Sequence, residues 1–272
     1  MPGKQETIWV ERCLVSTMCV AGVVSYQGRQ PYMEDRYSVI TNINGSEVSL
    51  YAIFDGHAGE FAAEYAREVI MPSIGTKIFE LLEMIKLRIP PKPVKKTPVT
   101  QKAVEKPVEE LKNEIVPEPD HEEIPPNPLE VYITPELIIN YEKLIHDEVL
   151  AFDHILIDRM AKVNLFCGTT ANIVLIDLTN KLIICANVGD SRAVMCDSKG
   201  NAFALSHDHK PNNPEELTRI RENGGYISNK SGCWRVDGSL ACSRSLGDYP
   251  LKQKKVIIAD PEITTIKFKD FK

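Results

Sequence analysis

Residues 44–59 read NGSEVSLYAIFDGHAG. Asn44-Gly45 is a tight-turn signal, because both residues tolerate left-handed backbone. The run Val48 to Phe54 that follows is apolar enough for a strand with a buried face. Asp55, Gly56 and His57 come directly after it, and from Glu60 the period changes. Phe61, Tyr65 and Val69, then Ile78, Leu81, Leu82 and Ile85, recur at helical spacing, which predicts a helix over 60–88 broken near Pro72. A carboxylate and an imidazole therefore stand between a strand and a helix. Gly56 lets the backbone approach a ligand closely, and its carbonyl is itself a candidate ligand. Taken alone, the stretch reads first as a turn with an Asx cap.

Outward from this segment, Met18 to Tyr26 and Tyr37 to Ile43 read as strands. Thr134-Pro135-Glu136 carries the marks of a helix start, with apolar positions continuing to about Met160. Thr169 to Ile176, Lys181 to Asn187 and Arg192 to Cys196 are rich in β-branched residues and predict a second strand cluster. Pro214 to Asn223 reads as a short helix ended by Gly224-Gly225. Val256 to Ile258 and Ile263 to Ile266 read as the last strands. Strands, two helices, then strands again is not the alternation of a parallel α/β sheet. It predicts an α+β fold of mainly antiparallel sheets with helices packed on them.

Composition narrows the function classes. The 272 residues carry a net charge of -6, which disfavours a nucleic-acid partner. No run reaches the ~18 apolar residues of a membrane span. The longest apolar stretch near the start, Cys13 to Val24, reads as a buried strand rather than a signal segment. Seven cysteines without a CxxC pair fit a reduced protein of the cytoplasm or nucleus. Ten of the 18 prolines fall within residues 90–128, a stretch without glycine or aromatics. It reads as a disordered insert. The implied organisation is an extension at 1–17, a first part of the folded unit at 18–89, the insert at 90–128 and a second part at 129–272. No oligomerisation motif is present, so a monomer is expected.

Neither a P-loop nor a G-x-G-x-x-G fingerprint occurs. Acids instead punctuate strand ends. Glu34 and Asp35 stand before one strand, Asp55 after another, and Asp190 between two more. Three acid-bearing ends beside one histidine suit hard divalent cations, which prefer oxygen ligands. His207 and His209 suggest a metal pair by spacing, but their polar loop favours a structural role.

Together the segments MEDR at 33–36, FDGHAG at 54–59, GTTA at 168–171, ANVGDSRAV at 186–194, SHDHKP at 206–211 and WRVDGSLACSRSLGDYPLK at 234–252 resemble the metal-dependent Ser/Thr protein phosphatases of type 2C. The protein phosphatase 1-like branch is the nearest. The resemblance implies a four-layer α-β-β-α sandwich of two antiparallel sheets flanked by helices. It implies two Mn²⁺ or Mg²⁺ ions per complete site and a phosphoprotein substrate. It casts Asp55 as the carboxylate bridging both metals, with the Gly56 carbonyl on one of them. Glu34 and Asp35 would hold that metal's waters, His57 would be the general acid, and Asp190 would lie near a third, weaker metal. For Asp190 a hairpin-anchoring role stands beside that one.

Two departures qualify the resemblance. The family's phosphate-binding Arg falls at Gln30, which lacks a charged bidentate fork, and its neighbour Arg29 is the substitute candidate. The sequence reaches Asp270-Phe271 without the family's later Asp-Gly and Asp-Asn motifs. The expectation is therefore a sandwich lacking its last strands. Its function is protein phosphatase, with a catalytically impaired binding or regulatory protein as the alternative.

Overall fold

The computed structural model describes residues 9–15, 19–89 and 127–270. Its elements are β1 (Trp9–Val15), β2 (Cys19–Ser25), β3 (Arg36–Ile40), β4 (Val48–Phe54), β5 (Gly56–His57), α1 (Phe61–Arg88), α2 (Tyr141–Val163), β6 (Gly168–Thr169), β7 (Ala171–Asp177), β8 (Leu182–Val188), β9 (Val194–Cys196), β10 (Ala202–Ala204), α3 (Pro214–Glu222), β11 (Ile227–Lys230), β12 (Cys233–Val236), β13 (Leu246–Gly247), α4 (Tyr249–Gln253) and β14 (Glu262–Lys267).

Five strands form an antiparallel sheet in the order β14-β8-β7-β4-β3. Alternation sorts their side chains. Val48, Leu50, Ala52 and Phe54 of β4 join Ala171, Ile173 and Leu175 of β7 on one face, where α1 and α2 cover them with Ile74, Ile78, Leu81, Leu144 and Leu156. Each such aliphatic side chain gains ~1.5–3 kcal/mol from burial. Glu148 of α2, buried, accepts from Ser73 Oγ (2.5 Å) and pairs with Lys77, both on α1. The opposite face, with Tyr51, Ile53, Val174 and Ile176, meets the two-stranded ribbons β1-β2 and β9-β10 across a cavity of about 490 Å³. The expected α+β class, with antiparallel sheets and helices, is the observed one. Among the described residues the second sheet is represented by separate ribbons rather than one continuous ladder. No helix among them is long and apolar enough to cross a membrane.

Several elements depart from expectation for identifiable reasons. Helix α1 runs unbroken through Pro72. Pro72 faces solvent while Met71, Ile74 and Gly75 continue the buried stripe, so packing on both sides holds the helix across the lost hydrogen bond. Helix α2 starts at Tyr141 rather than near Pro135. Asn140 caps it by accepting from the Lys143 N–H (3.0 Å), while 134–138 form a turn closed by the Thr134 N–H donating to the Ile138 carbonyl (2.8 Å). Val256 and Ile257 are buried but belong to a small second core with Ile220 and Val236, and only Ile258 makes a bridge, to Arg244. The β11-β12 hairpin was not expected from the sequence. β2 is only half-buried from Ala21 onward and pairs with β1, so the 1–17 boundary falls in the connection between two paired strands. Residues 90–126 of the expected insert lie outside the described residues, and Pro128 begins a 3-10 turn.

A buried ionic knot fastens α3 to the rest. Glu216 accepts from Arg244 Nε (3.0 Å) and Nη2 (2.7 Å), from Arg219 Nη2 (2.8 Å) and from Ser243 Oγ (2.5 Å). Burial by itself would raise its pKa. The hydrogen bonds and charges of Arg244, Ser243 and Arg219 outweigh it and bring the pKa from 4.5 down to about 2. A depressed folded-state pKa adds stability above pH 4.5 and loses it as pH falls towards 2. Glu216→Gln is expected to cost on the order of 3 kcal/mol at neutral pH. Urea denaturation at a series of pH values checks this: the gap between parent and variant should close between pH 4.5 and 2.

Candidate active site

Sheet register brings the acids together. Arg36 opposes Phe54, so Asp35 and Asp55 flank the same edge of the β3-β4 pair. Val188 opposes Ala171, which carries the loop to Asp190 towards the same end. Thr170 ties these strand ends. Its N–H donates to the Asp55 carbonyl (2.9 Å), its Oγ1 accepts from the Asp55 N–H (3.0 Å), and its hydroxyl meets Ser191 Oγ (2.7 Å). Gly56 lets the acidic loop close in, since a Cβ there would stand 2.5 Å from the Glu34 carbonyl oxygen.

Each acid has a different partner. Glu34 Oε1 accepts from the Gly59 N–H (2.7 Å), bracing the loop before α1. Asp190 pairs with Lys210. Asp55 and Asp35 are left to each other. Crowding by surrounding protein, then the charges of Asp35 and Asp190 and a hydrogen bond with Asp35, push the Asp55 pKa up to about 6, against a smaller opposing pull from His57. Two crowded carboxylates are what a divalent cation relieves. The oxygen donors of Asp55 and Asp35, with the Gly56 carbonyl beside them, therefore fit a hard cation. The Asp190 carboxylate is held by the Lys210 ammonium. Among the described residues no group of three or more His, Cys, Asp or Glu side chains converges to hold a metal ion.

His57 is oriented by a residue that sequence reading missed. Its Nε2 lies 2.8 Å from Asp248 Oδ2. A carboxylate there selects the tautomer protonated on Nε2 and leaves Nδ1 for a reacting group. Asp248 is itself fixed. Ser245 Oγ donates to Asp248 Oδ2 (2.6 Å), and the Asp248 N–H donates to the Cys167 carbonyl (3.1 Å). The preceding Gly247 N–H donates to buried Asp153, which Lys252 also grips (2.5 and 2.6 Å). Gly168 packs under both partners: a Cβ there would lie 2.2 Å from Asp248 Oδ2 and 2.5 Å from His57 Nε2. Burial opposes the imidazolium, but the hydrogen bond and charge of Asp248, with Asp55 and Asp190, win and raise the His57 pKa. The signal for Asp248 lay in the SRSLGD segment, yet nothing local marks it as the partner of a residue 191 positions away.

Other candidates fall elsewhere. Arg29 and Gln30 sit in an exposed turn closed by Gln27 Nε2 donating to the Gln30 carbonyl (2.7 Å). No hydrogen bond or ion pair among the described residues joins Arg29 to Asp55 or His57. His209 is buried and structural. Its Nδ1 accepts from the Gly189 N–H (3.0 Å), and burial first, then Arg244, pushes its pKa down to about 4. His207 meets Glu262 (2.7 Å) on the surface.

Comparison with known proteins identifies relatives of the chain. A sequence profile described as "Protein phosphatase 2C" matches residues 101–271. The chain is 38% identical over 244 residues to "Protein phosphatase 1L" of Bos taurus, covering 89% of this chain and 53% of that protein. It is 31% identical over 250 residues to "Probable protein phosphatase 2C 71" of Arabidopsis thaliana, covering 92% and 42%. Its fold is similar to a serine-threonine phosphatase 2C from Toxoplasma gondii, with a TM-score of 0.61 at 19% identity over 88% of this chain and 70% of that one. A C. elegans sex determining protein aligns with a TM-score of 0.59 at 20% identity, over 97% and 49%. The chain spans about half the length of the relatives it matches. With the profile covering more than half of its residues, the chain belongs to the protein phosphatase 2C family, whose members are metal-dependent.

Proposed function

We propose that the protein carrying this chain is a Ser/Thr phosphatase that hydrolyses phosphoserine and phosphothreonine esters of phosphoproteins. The observation that carries this reading is the His57–Asp248 pair standing beside the Asp35–Asp55 carboxylates. Unaided hydrolysis of a phosphate monoester is among the slowest reactions in biology. It needs an attacking water, neutralised phosphoryl oxygens and a proton for the leaving alkoxide.

Asp55 and Asp35 would hold the divalent ion, with the Gly56 carbonyl beside them, and we place two Mn²⁺ or Mg²⁺ ions in the complete site. Bound there, such ions supply Lewis acidity towards the phosphoryl oxygens and the attacking water. His57 supplies the proton. Asp248 holds its ring through Nε2 and favours the charged form, so Nδ1 is a ready acid at neutral pH. The departing Ser or Thr oxygen takes that proton as the P–O bond breaks, and His57 regains it from solvent. The chain acts as a monomer. Its buried free thiols at Cys167, Cys185 and Cys242 suit the reducing cytoplasm or nucleus.

A phosphothreonine peptide assayed with and without Mn²⁺ tests the reading. Asp55→Asn is expected to abolish Mn²⁺-dependent turnover, and turnover that needs no Mn²⁺ or survives Asp55→Asn overturns it. His57→Gln is expected to lose about 10²–10⁴-fold, the range of general acid catalysis.

Asp248→Asn should lose about tenfold or more while remaining folded, because the ring is then neither aligned nor charged as well. Both losses should be much smaller on p-nitrophenyl phosphate, whose leaving group needs no proton. Equal losses on the two substrates would remove the acid role from His57.

A further inference from the structure

The proposed chemistry uses His57 and the acids beside it but leaves unused the apolar ground next to them. Helix α2 ends in a rigid cap. Asn164 is left-handed (φ 53°) and its N–H donates to the Met160 carbonyl, and the Leu165 N–H returns to the same carbonyl (3.0 Å). The chain then runs into β6, which pairs Gly168 with His57 on one side and with Gly247 on the other. The Asp248 N–H bond to the Cys167 carbonyl (3.1 Å) carries that pairing one residue further. Alternation turns Cys167, 1% exposed, inward and sets Phe166 on the side of Gly168, where the His57 ring lies. Phe166 stacks on Tyr249, the residue after Asp248, with ring centroids 5.4 Å apart and planes inclined by 23°. Tyr249 in turn packs against the main core. Phe166 nevertheless stays 56% exposed, Leu165 37% and Val163 63%.

We propose that Val163, Leu165 and Phe166 form a substrate shelf, which takes an apolar side chain about two or three residues from the phosphorylated Ser or Thr and so sets which phosphopeptides are preferred. Reach decides the occupant. General acid catalysis holds the ester oxygen at hydrogen-bond distance from His57 Nδ1. Gly168 lies against that ring, and Phe166 is two residues from Gly168, at most ~7 Å along an extended chain. An extended peptide covers the same span in about two or three residues. A substrate placed for chemistry therefore has flanking residues within reach of the shelf. Exposed apolar side chains held by a helix cap and an aromatic stack are ordered before anything binds. Covering them with an apolar group releases water at little ordering cost. A charged or small polar flank leaves the shelf wet and gains nothing. The inference rests on the phosphatase reading above and adds a substrate class to it.

The test compares two phosphothreonine peptides with Mn²⁺ present, one flanked only by serine and one carrying leucine at the second and third positions on both sides. The leucine peptide is expected to be preferred about tenfold or more in kcat/KM, chiefly through KM. Phe166→Ser is expected to bring that ratio within about twofold of unity. Phe166→Lys is expected to move the preference to a peptide with aspartate at those positions, which a mere loss of packing would not do. Circular dichroism and thermal melting establish that each variant is folded. If neither Phe166 variant folds, Leu165→Gln at the exposed rim is expected to lower the ratio by about threefold or more. The same ratio is also measured as the Kd of fluorescein-labelled peptides by anisotropy, which does not depend on turnover. A chain that turns over neither peptide but binds the leucine peptide about tenfold tighter, and loses that in Phe166→Ser, supports the shelf while removing support for the phosphatase reading. No leucine preference in either measurement, or a preference that Phe166→Ser and Leu165→Gln leave intact, overturns the proposal.

Discussion

Carboxylates forced close together at the end of an apolar sheet are the constraint around which this structure is organised. The register leaves no alternative. β3 begins where β4 ends, β7 begins beside the same point, and β8 ends next to β7. Asp35, Asp55 and Asp190 occupy positions just beyond those strand ends, so forming the sheet assembles the charge cluster. The favourable term is burial of the helix-covered face, and the repulsion it must overcome is local to one edge. Thr170 makes the arrangement rigid, because one residue supplies the backbone donor to Asp55, the hydroxyl that receives its N–H, and the contact to Ser191.

Rigidity there depends on residues far from the site in sequence. Asp153 of α2 holds the Gly247 N–H and Lys252, and so fixes the turn that carries Asp248. The same helix packs against α1 through Tyr65 and Phe152, with ring centroids 5.5 Å apart, and α1 starts just beyond His57. Both partners of the His57–Asp248 bond are therefore referred to one helical layer. A hydrogen bond between two such anchored groups needs little additional ordering when a substrate arrives, which is the physical advantage of building a site on helices and strand ends rather than on free loops.

What could be read from the sequence followed the range of the interactions. Val48 to Phe54 was legible because a period of two reports which side of a sheet is buried, and burial is decided residue by residue. Asp55, Glu34 and Asp190 were legible because each abuts such a run. Helix α2 was placed too early because Thr134-Pro135-Glu136 and Asn140 both offer start signals. The choice between them is made by the turn that the Thr134 N–H and Ile138 carbonyl close, and by burial of Tyr141. Pro72 misled for a related reason, since its penalty is local while the packing that carries α1 past it is not. Asp248, Thr170 and Lys210 lie in segments the sequence singled out, but what each of them touches was not legible. Their partners are 191, 115 and 20 residues away, and no periodicity encodes a contact of that kind.

The partners then decide what each acid can do. Glu34 is used by the Gly59 N–H, Asp248 by His57 and Ser245, and Asp190 by Lys210. Each of these carboxylates has its charge met by a group the fold supplies. Asp55 and Asp35 face each other, and burial first, then the charges of Asp35 and Asp190, raise the pKa of Asp55. Repulsion of this kind costs folding energy unless something else removes it. A proton removes it at low pH, and a divalent cation would do so near neutrality, taking up the oxygens that the proton leaves. The deficit is confined to one pair because its neighbours are already satisfied, and that confinement is what would make the position of a bound ion definite.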